Sequence, residues 1–241
     1  MRVGLFVTCL IDLVRPQIGF SALKLLEAAG CTVEVPEQQT CCGQPAYNSG
    51  DSGTARMLAV QMLKAFEGFD YVVVPSGSCG SSIKGDYVDM FRDDPDLKAR
   101  FDALAAKTFE LTDFLVNVCK VDRLDSRYRG RITYHDSCSG LRYLGVQEQP
   151  RRLLAMLPGV QLTEMDKAQQ CCGFGGTFSV KYGDISGAIV GEKCQHIQSC
   201  GADAVVLGDL GCMMNIEGRL RRSGDEKTRV LHIAQVLAGD A

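Results

Sequence analysis

Gln170-Cys171-Cys172-Gly173-Phe174-Gly175-Gly176 is the stretch whose reading decides the fold. Two adjacent cysteines followed by glycine form an unusual triplet, and the chain carries it twice, the other copy being Cys41-Cys42-Gly43. Each copy has one cysteine well upstream and one well downstream. Cys9 matches Cys138, Cys41 matches Cys171 and Cys79 matches Cys212, at offsets of 129, 130 and 133. A nearly constant offset over three anchors identifies an internal duplication.

The flanking segments repeat as well. VGLFVT (3–8) leads to Cys9 as ITYHDS leads to Cys138. Pro16 opens a helix through Ile18, Ala22 and Leu25, and PRRLLAML matches it. CTVEV (31–35) is a strand matched by VQLTEM, and YVVV (71–74) opening into PSGSC is matched by ADAVVLGDLGC. Residues 52–66 have helical spacing through Ala55, Leu58, Met62 and Phe66. Strand alternating with helix predicts an α/β fold of two pseudo-symmetric Rossmann-like lobes, each with a small, mainly parallel sheet and right-handed crossovers. The lobes are expected at residues 1–125 and 126–241, with DSRYRGR (125–131) at the boundary. Residues 92–130 read as inserted helix through Leu97, Phe101, Leu104 and Thr108, and 226–238 as a capping helix. Ligands in such sheets bind at strand C-termini, where Cys9, Cys79, Cys138 and Cys212 fall. The cysteine-bearing edges are expected to face a shared cleft.

Composition narrows the function. With 46% hydrophobic and 23% charged residues the chain reads as an ordinary globular protein. A net charge of −3 advertises no nucleic-acid or anionic-membrane partner. No apolar run reaches the length of a transmembrane segment, and the N-terminal run MRVGLFVTCLIDL reads as a buried strand, not a signal peptide. Twelve cysteines without a secretion signal predict a reducing, cytoplasmic setting and metal or redox chemistry.

Each repeat offers four thiolates: Cys9, Cys41, Cys42 and Cys79, then Cys138, Cys171, Cys172 and Cys212. That is the complement of a [4Fe–4S] cluster. Adjacent cysteines can converge on a turn, and Gly43 and Gly173 tolerate the positive φ such a turn needs. A vicinal pair suits a cluster edge better than a single zinc ion, whose cysteines are usually spaced by two or more residues. Zinc in one site stays open.

The remaining candidates read more plainly. Cys31 and Cys119 lie in apolar patterns as core residues, and Cys194, His196 and Cys200 form a C-x-H-x₃-C within a helical stretch. His135 and Asp136, just before Cys138, are either groups supporting the cysteine site or residues satisfied at a strand end. His232 reads as structural. Arg142, Arg151 and Arg152 are either anion-docking groups or a solvated helix face. Gly173-Phe174-Gly175-Gly176 fails the G-x-G-x-x-G nucleotide fingerprint because position 178 is Phe. Ser76-Gly77-Ser78 lacks bases for a catalytic triad.

The doubled Cys…Cys-Cys-Gly…Cys pattern, with HDSC (135–138), CCGFGGTFSVK (171–181), PSGSC (75–79) and DLGC (209–212), resembles the cysteine-rich CCG domain family. That family includes a component of heterodisulfide reductase and the iron–sulfur subunits of glycolate and glycerol-3-phosphate oxidoreductases. Within it the chain is most similar to the lactate utilization protein A group. The resemblance implies an iron–sulfur electron-transfer subunit of a cytoplasmic oxidoreductase system for L-lactate or glycolate. It also implies separate iron–sulfur partner subunits. In the heterodisulfide reductase branch each repeat ends in C-x-x-C, giving five cysteines for a non-cubane cluster. Here Ser76 and Asp209 stand at the first position of that pair, so four thiolates per site remain. An ordinary four-cysteine cluster, a serine or aspartate ligand, or zinc in one site are the options left. The residues also admit a thiol–disulfide oxidoreductase using the vicinal cysteines, or a zinc-stabilised regulatory scaffold.

Overall fold

Val3 and Leu5 are fully buried in Arg2–Leu5 (β1), and Val72, Val73 and Val74 in Tyr71–Val74 (β3). Such continuous apolar runs, covered on both faces, are what a parallel sheet requires. In the computed structural model, which describes residues 1–241, Thr32–Glu34 (β2) and Thr108–Glu110 (β4) complete the sheet in the order β2-β1-β3-β4, all parallel. The second lobe repeats this with Gly130–Tyr134 (β5), Val160–Leu162 (β6), Ala204–Leu207 (β7) and Arg229–His232 (β8), in the order β6-β5-β7-β8. The duplicated α/β architecture is as the sequence predicts.

In both sheets the chain reverses its direction of winding beside the first strand, so a topological switch point lies between β1 and β3 and between β5 and β7. Cys9 begins the helix Cys9–Val14 after β1, and Cys79 lies in the helix Gly77–Ser81 after β3. Cys138 begins Cys138–Leu144 after β5, and Cys212 lies in Leu210–Arg222 after β7. The ligand-binding crevice of each sheet is thus flanked by cysteines.

Two elements depart from expectation. The insertion is the helix Pro95–Ala106 followed by β4, so Thr108 starts a strand instead of continuing the helix. The tail is β8 followed by the helix Ile233–Ala238. Both fourth strands are short and end in a polar residue that caps the next helix, which hides them from a periodicity reading. Glu110 accepts from the amides of Thr112 and Asp113, and His232 from that of Ala234.

The lobes share one apolar core. Val73, Leu111 and Phe114 of the first lobe belong to the same buried cluster as Leu153, Ile233 and Leu237 of the second. The Ile233–Ala238 helix returns onto Pro16–Ala28, where Lys24 Nζ donates to the Ala238 carbonyl at 2.8 Å. A second cluster, with Phe6, Phe66, Tyr87, Phe91 and Phe101, lies on the far side of the first sheet. Between the lobes the Gly77–Ser81 and Cys138–Leu144 helices meet at backbone distance. A Cβ on Gly77 would stand 2.9 Å from Gly140 N and Ser137 Oγ.

Candidate metal centres

Each vicinal pair is shaped by its glycine. Gly43 and Gly173 have φ of 81° and 79°, which turns the chain sharply after the second cysteine. Their amides fold back on the first cysteine: Gly43 N–H donates to Cys41 Sγ at 3.4 Å and Gly173 N–H to Cys171 Sγ at 3.3 Å. The peptide carbonyl of the second cysteine is held from the far side, by Tyr87 Oη on Cys42 and Asn215 Nδ2 on Cys172, each at 2.8 Å. Tyr87 and Asn215 escape a sequence reading. Only their place on the helical segments after Cys79 and Cys212 hints at them.

The eight predicted ligands gather into two quartets, one per lobe. In the first, Cys42 and Cys79 sulfurs lie 3.4 Å apart. Cys41 is drawn well below the ordinary thiol range by the S–H of Cys42 and then Cys9, while Cys42 and Cys9 are driven up against it. The second repeats this, with Cys171 lowered by Cys138 and Cys172 and both of those raised. Thiols so crowded cannot all deprotonate together without a compensating cation. All twelve cysteines are free. Soft, convergent sulfur donors fit a thiolate-bound metal centre; Cys9, Cys41, Cys42 and Cys79 would hold one and Cys138, Cys171, Cys172 and Cys212 the other.

Ser76 and Asp209 are spoken for. Asp209 Oδ1 caps Gly211 and Cys212 amides, and its Oδ2 accepts from Ser78 N at 2.8 Å and Ser76 Oγ at 3.2 Å across the lobe boundary. Ser76 and Asp209 therefore bond to each other, so their oxygens serve the interface and not the quartets.

The surroundings of the quartets differ. Three residues before Cys138 lies His135, fully buried, with neither ring nitrogen hydrogen-bonded. Its ring and the sulfurs of Cys172 and Cys212 form a group with all donor atoms within 4.8 Å of one another. Burial, then the nearby Lys193 ammonium, lowers its pKa to about 3, so the ring is neutral. A buried N–H without a partner costs about 1–3 kcal/mol, which marks this ring as awaiting an acceptor. The equivalent position in the first lobe is Phe6. Asp136 and Arg151 are structural: Arg151 clasps Asp136 through two bonds of 2.8 and 2.9 Å and reaches Glu164 at 2.7 Å. Neither anion docking nor a solvated face describes that arginine. His232 Nε2 lies 3.1 Å from the Pro75 carbonyl across the lobe boundary, as a structural residue.

Cys31 and Cys119 sulfurs touch at 3.9 Å in the core, away from both quartets. Cys194 is buried against the Ile216 carbonyl and Cys200 bonds its own helix at Ile197, so the C-x-H-x₃-C spacing gathers no site.

The second quartet alone lines the cleft between the lobes, a cavity of about 470 Å³ where it faces Ser78, Ser81, Asp86 and Asp89 of the first. Cys9 and Cys41 open instead onto a separate apolar groove of about 550 Å³ with Leu13, Phe20 and Val35. The expected shared cleft is therefore shared by the lobes but not by the quartets.

Comparison with known proteins agrees with this architecture. The cysteine-rich domain CCG matches residues 3–84 and 132–217, one copy per lobe. Lactate utilization protein A of Geobacillus kaustophilus is 52% identical over 237 residues, covering 98% of both chains. That of Oceanobacillus iheyensis is 46% identical, covering 98% of this chain and 96% of its own. Among solved structures, a hypothetical protein from Helicobacter pylori superposes with a TM-score of 0.65 at 13% identity. It spans all of this chain, which covers 49% of that structure, and the likeness is one of fold.

Proposed function

The chain belongs to the cysteine-rich CCG domain family, and from that premise we propose that it is an iron–sulfur electron carrier serving the oxidation of L-lactate or a related 2-hydroxy acid such as glycolate. The observation that carries this reading is the pair of four-thiol quartets at the switch points of a duplicated sheet. The names of relatives 46–52% identical over nearly their whole length supply the metabolic setting. When bound, an iron–sulfur cluster supplies one-electron chemistry. The chain's residues do the rest. Eight cysteines ligate, and the Gly43 and Gly173 amides donate to sulfur and stabilise the more negative, reduced form.

The inter-lobe cleft supports a carrier over a substrate-oxidising site. Its lining includes Asp86, Asp89 and Asp209 but no lysine, arginine or histidine. A 2-hydroxy acid carboxylate would find no cationic partner there. Hydroxy-acid oxidation then falls to partner subunits, which we propose carry their own iron–sulfur centres. No helix is long and apolar enough to cross a membrane, and a cytoplasmic setting is proposed from the twelve unpaired thiols.

The test is metal analysis of anaerobically purified protein. Brown protein with iron and acid-labile sulfide in near-equal amounts is expected. Colourless protein containing zinc alone would refute the reading.

A further inference from the structure

We infer that the second-lobe centre has the higher reduction potential, and that the imidazole of His135, donating an N–H to sulfur there, is what raises it. This rests on the iron–sulfur reading above and deepens it. A neutral imidazole carries one N–H and one lone pair. Here both nitrogens are buried and unpartnered, and the sulfurs of Cys172 and Cys212 lie within 4.8 Å. The Ala168 carbonyl stands close by but outside hydrogen-bonding geometry, and it already accepts from Asp136 N at 3.2 Å and Lys193 Nζ at 3.3 Å. Sulfur is therefore the acceptor the site offers. An N–H donated to an anionic sulfur is charge-assisted, and it stabilises the reduced centre more than the oxidised one.

The first lobe serves as an internal control. Phe6 occupies the matching position, three residues before Cys9, and its ring packs edge-on against Phe66 with centroids 5.7 Å apart. It has no polar hydrogen to offer. A second difference acts in the same direction. Gly43 packs on Leu58 and Gly173 on Ile189, so Met62 and Lys193, four residues further along each helix, correspond. Lys193 is fully buried and anchored to the Lys167 carbonyl at 2.6 Å, placing an ammonium on the second lobe only.

The experiment is a redox titration of the anaerobic holoprotein followed by electron paramagnetic resonance. The second-lobe signal is assigned in a Cys42→Ser background. His135→Phe is expected to lower that midpoint by about tenfold in the one-electron equilibrium constant, or ~59 mV. His135→Gln, which keeps an N–H, is expected to recover at least half of the shift. An unmoved midpoint in His135→Phe with its iron retained overturns the inference. So does loss of iron from both variants, because the imidazole would then be a ligand and not a donor. A readout that needs no variant is the nitrogen coupling in reduced protein labelled with ¹⁵N-histidine. A weak coupling is expected, and the strong coupling of a metal-bound nitrogen, or none, overturns it. Iron and sulfide are measured first on the same samples, so unmodified protein without iron would refute the electron-carrier reading separately.

Discussion

The two lobes share a frame and differ in what surrounds it. Sheet order, strand-end cysteines and the left-handed glycine after each vicinal pair are the same in both. Around the frame the first lobe is apolar, with Phe6, Val7 and Met62 where the second has His135, Asp136 and Lys193. The first quartet opens beside Leu13 and Phe20, which are 80% and 70% exposed, whereas the second faces hydroxyls and carboxylates between the lobes. The difference separates two tasks. In the proposed carrier, ligation depends on main-chain geometry that few residue types satisfy, so both copies keep it. Potential and access depend on neighbouring side chains, which can diverge without disturbing the ligands.

The largest effect that tests this division is loss of a whole centre. Cys42→Ser and Cys172→Ser are each expected to lose about half the bound iron, a cysteine in each quartet being essential to a four-thiolate cluster. The double variant should lose all of it and Cys31→Ser none. Measured iron per chain decides the point. If one substitution emptied both lobes, the quartets would not be independent centres.

Much of this frame was legible in the sequence because it rests on repetition and strand-end position. Offsets near 130 gave the duplication, and Cys9, Cys79, Cys138 and Cys212 just past strand ends, with the two CC-G loops after the remaining strands, put all eight candidate ligands at the sheet edges. Gly43 and Gly173 adopt the positive φ the turn demands. What stayed hidden depends on tertiary pairing. β4 and β8 are no shorter than strands that did register, but each runs without a turn into the helix that its own last residue caps, so no break in the sequence marks it. The Ser76–Asp209 bond joins residues 133 positions apart, so neither reads as a partner of the other until the lobes dock. Arg151 looks like surface charge in one dimension, and only the fold brings Asp136 and Glu164 to it.

The glycines offer the next contrast. An alanine at either turn must adopt a left-handed conformation, costing about 1–2 kcal/mol. At Gly43 the added Cβ meets nothing closer than 3.4 Å, but at Gly173 it would stand 2.9 Å from the Ser186 carbonyl and 3.1 Å from Ile189. Overpacking adds roughly 1–3 kcal/mol. Gly173→Ala should therefore destabilise the protein by roughly 3 kcal/mol and Gly43→Ala by about half that, read from denaturant midpoints. Equal losses would mean that the second turn can relax as freely as the first.

The fourth strands end in opposite charges-in-waiting. Burial raises Glu110 to about 7 and lowers His232 to about 4. Glu110 in the folded protein holds its proton above the unfolded value, so its contribution is full below about pH 4.5 and is lost as pH rises through about 7. His232 runs the other way, gaining stability as pH rises from about 4 to 6.5, and His135, lowered to about 3, adds to it. Two histidines outweigh one carboxylate, so wild-type stability should still rise across that window. Glu110→Gln keeps the acceptor for the Thr112 amide and removes the opposing titration. It should raise stability at pH 8 by on the order of 2–3 kcal/mol and leave a clear rise between pH 4 and 6.5. Thermal unfolding at pH 5 and 8 measures both, and an unchanged gain at the two pH values would show that Glu110 does not titrate with folding.

The smallest effect is the most pointed, because it concerns Ser76 and Asp209, the oxygen-bearing residues that stand three positions before Cys79 and Cys212. Ser76 gives one hydrogen bond to Asp209 at 3.2 Å, whereas Asp209 also caps its helix and takes the Ser78 amide. Ser76→Ala removes only the neutral hydroxyl and leaves the carboxylate three amide donors, so a loss of about 0.5–1.5 kcal/mol is expected. Asp209→Ala deletes the cap and leaves those amides unmet, and should cost more. If the pair is an interface element, Ser76→Ala keeps all its iron and the unaltered cluster spectrum while the unfolding midpoint falls slightly. A changed spectrum with unchanged stability would instead place the Ser76 oxygen on the first centre, and the lobes would then differ in their ligands as well as in their surroundings.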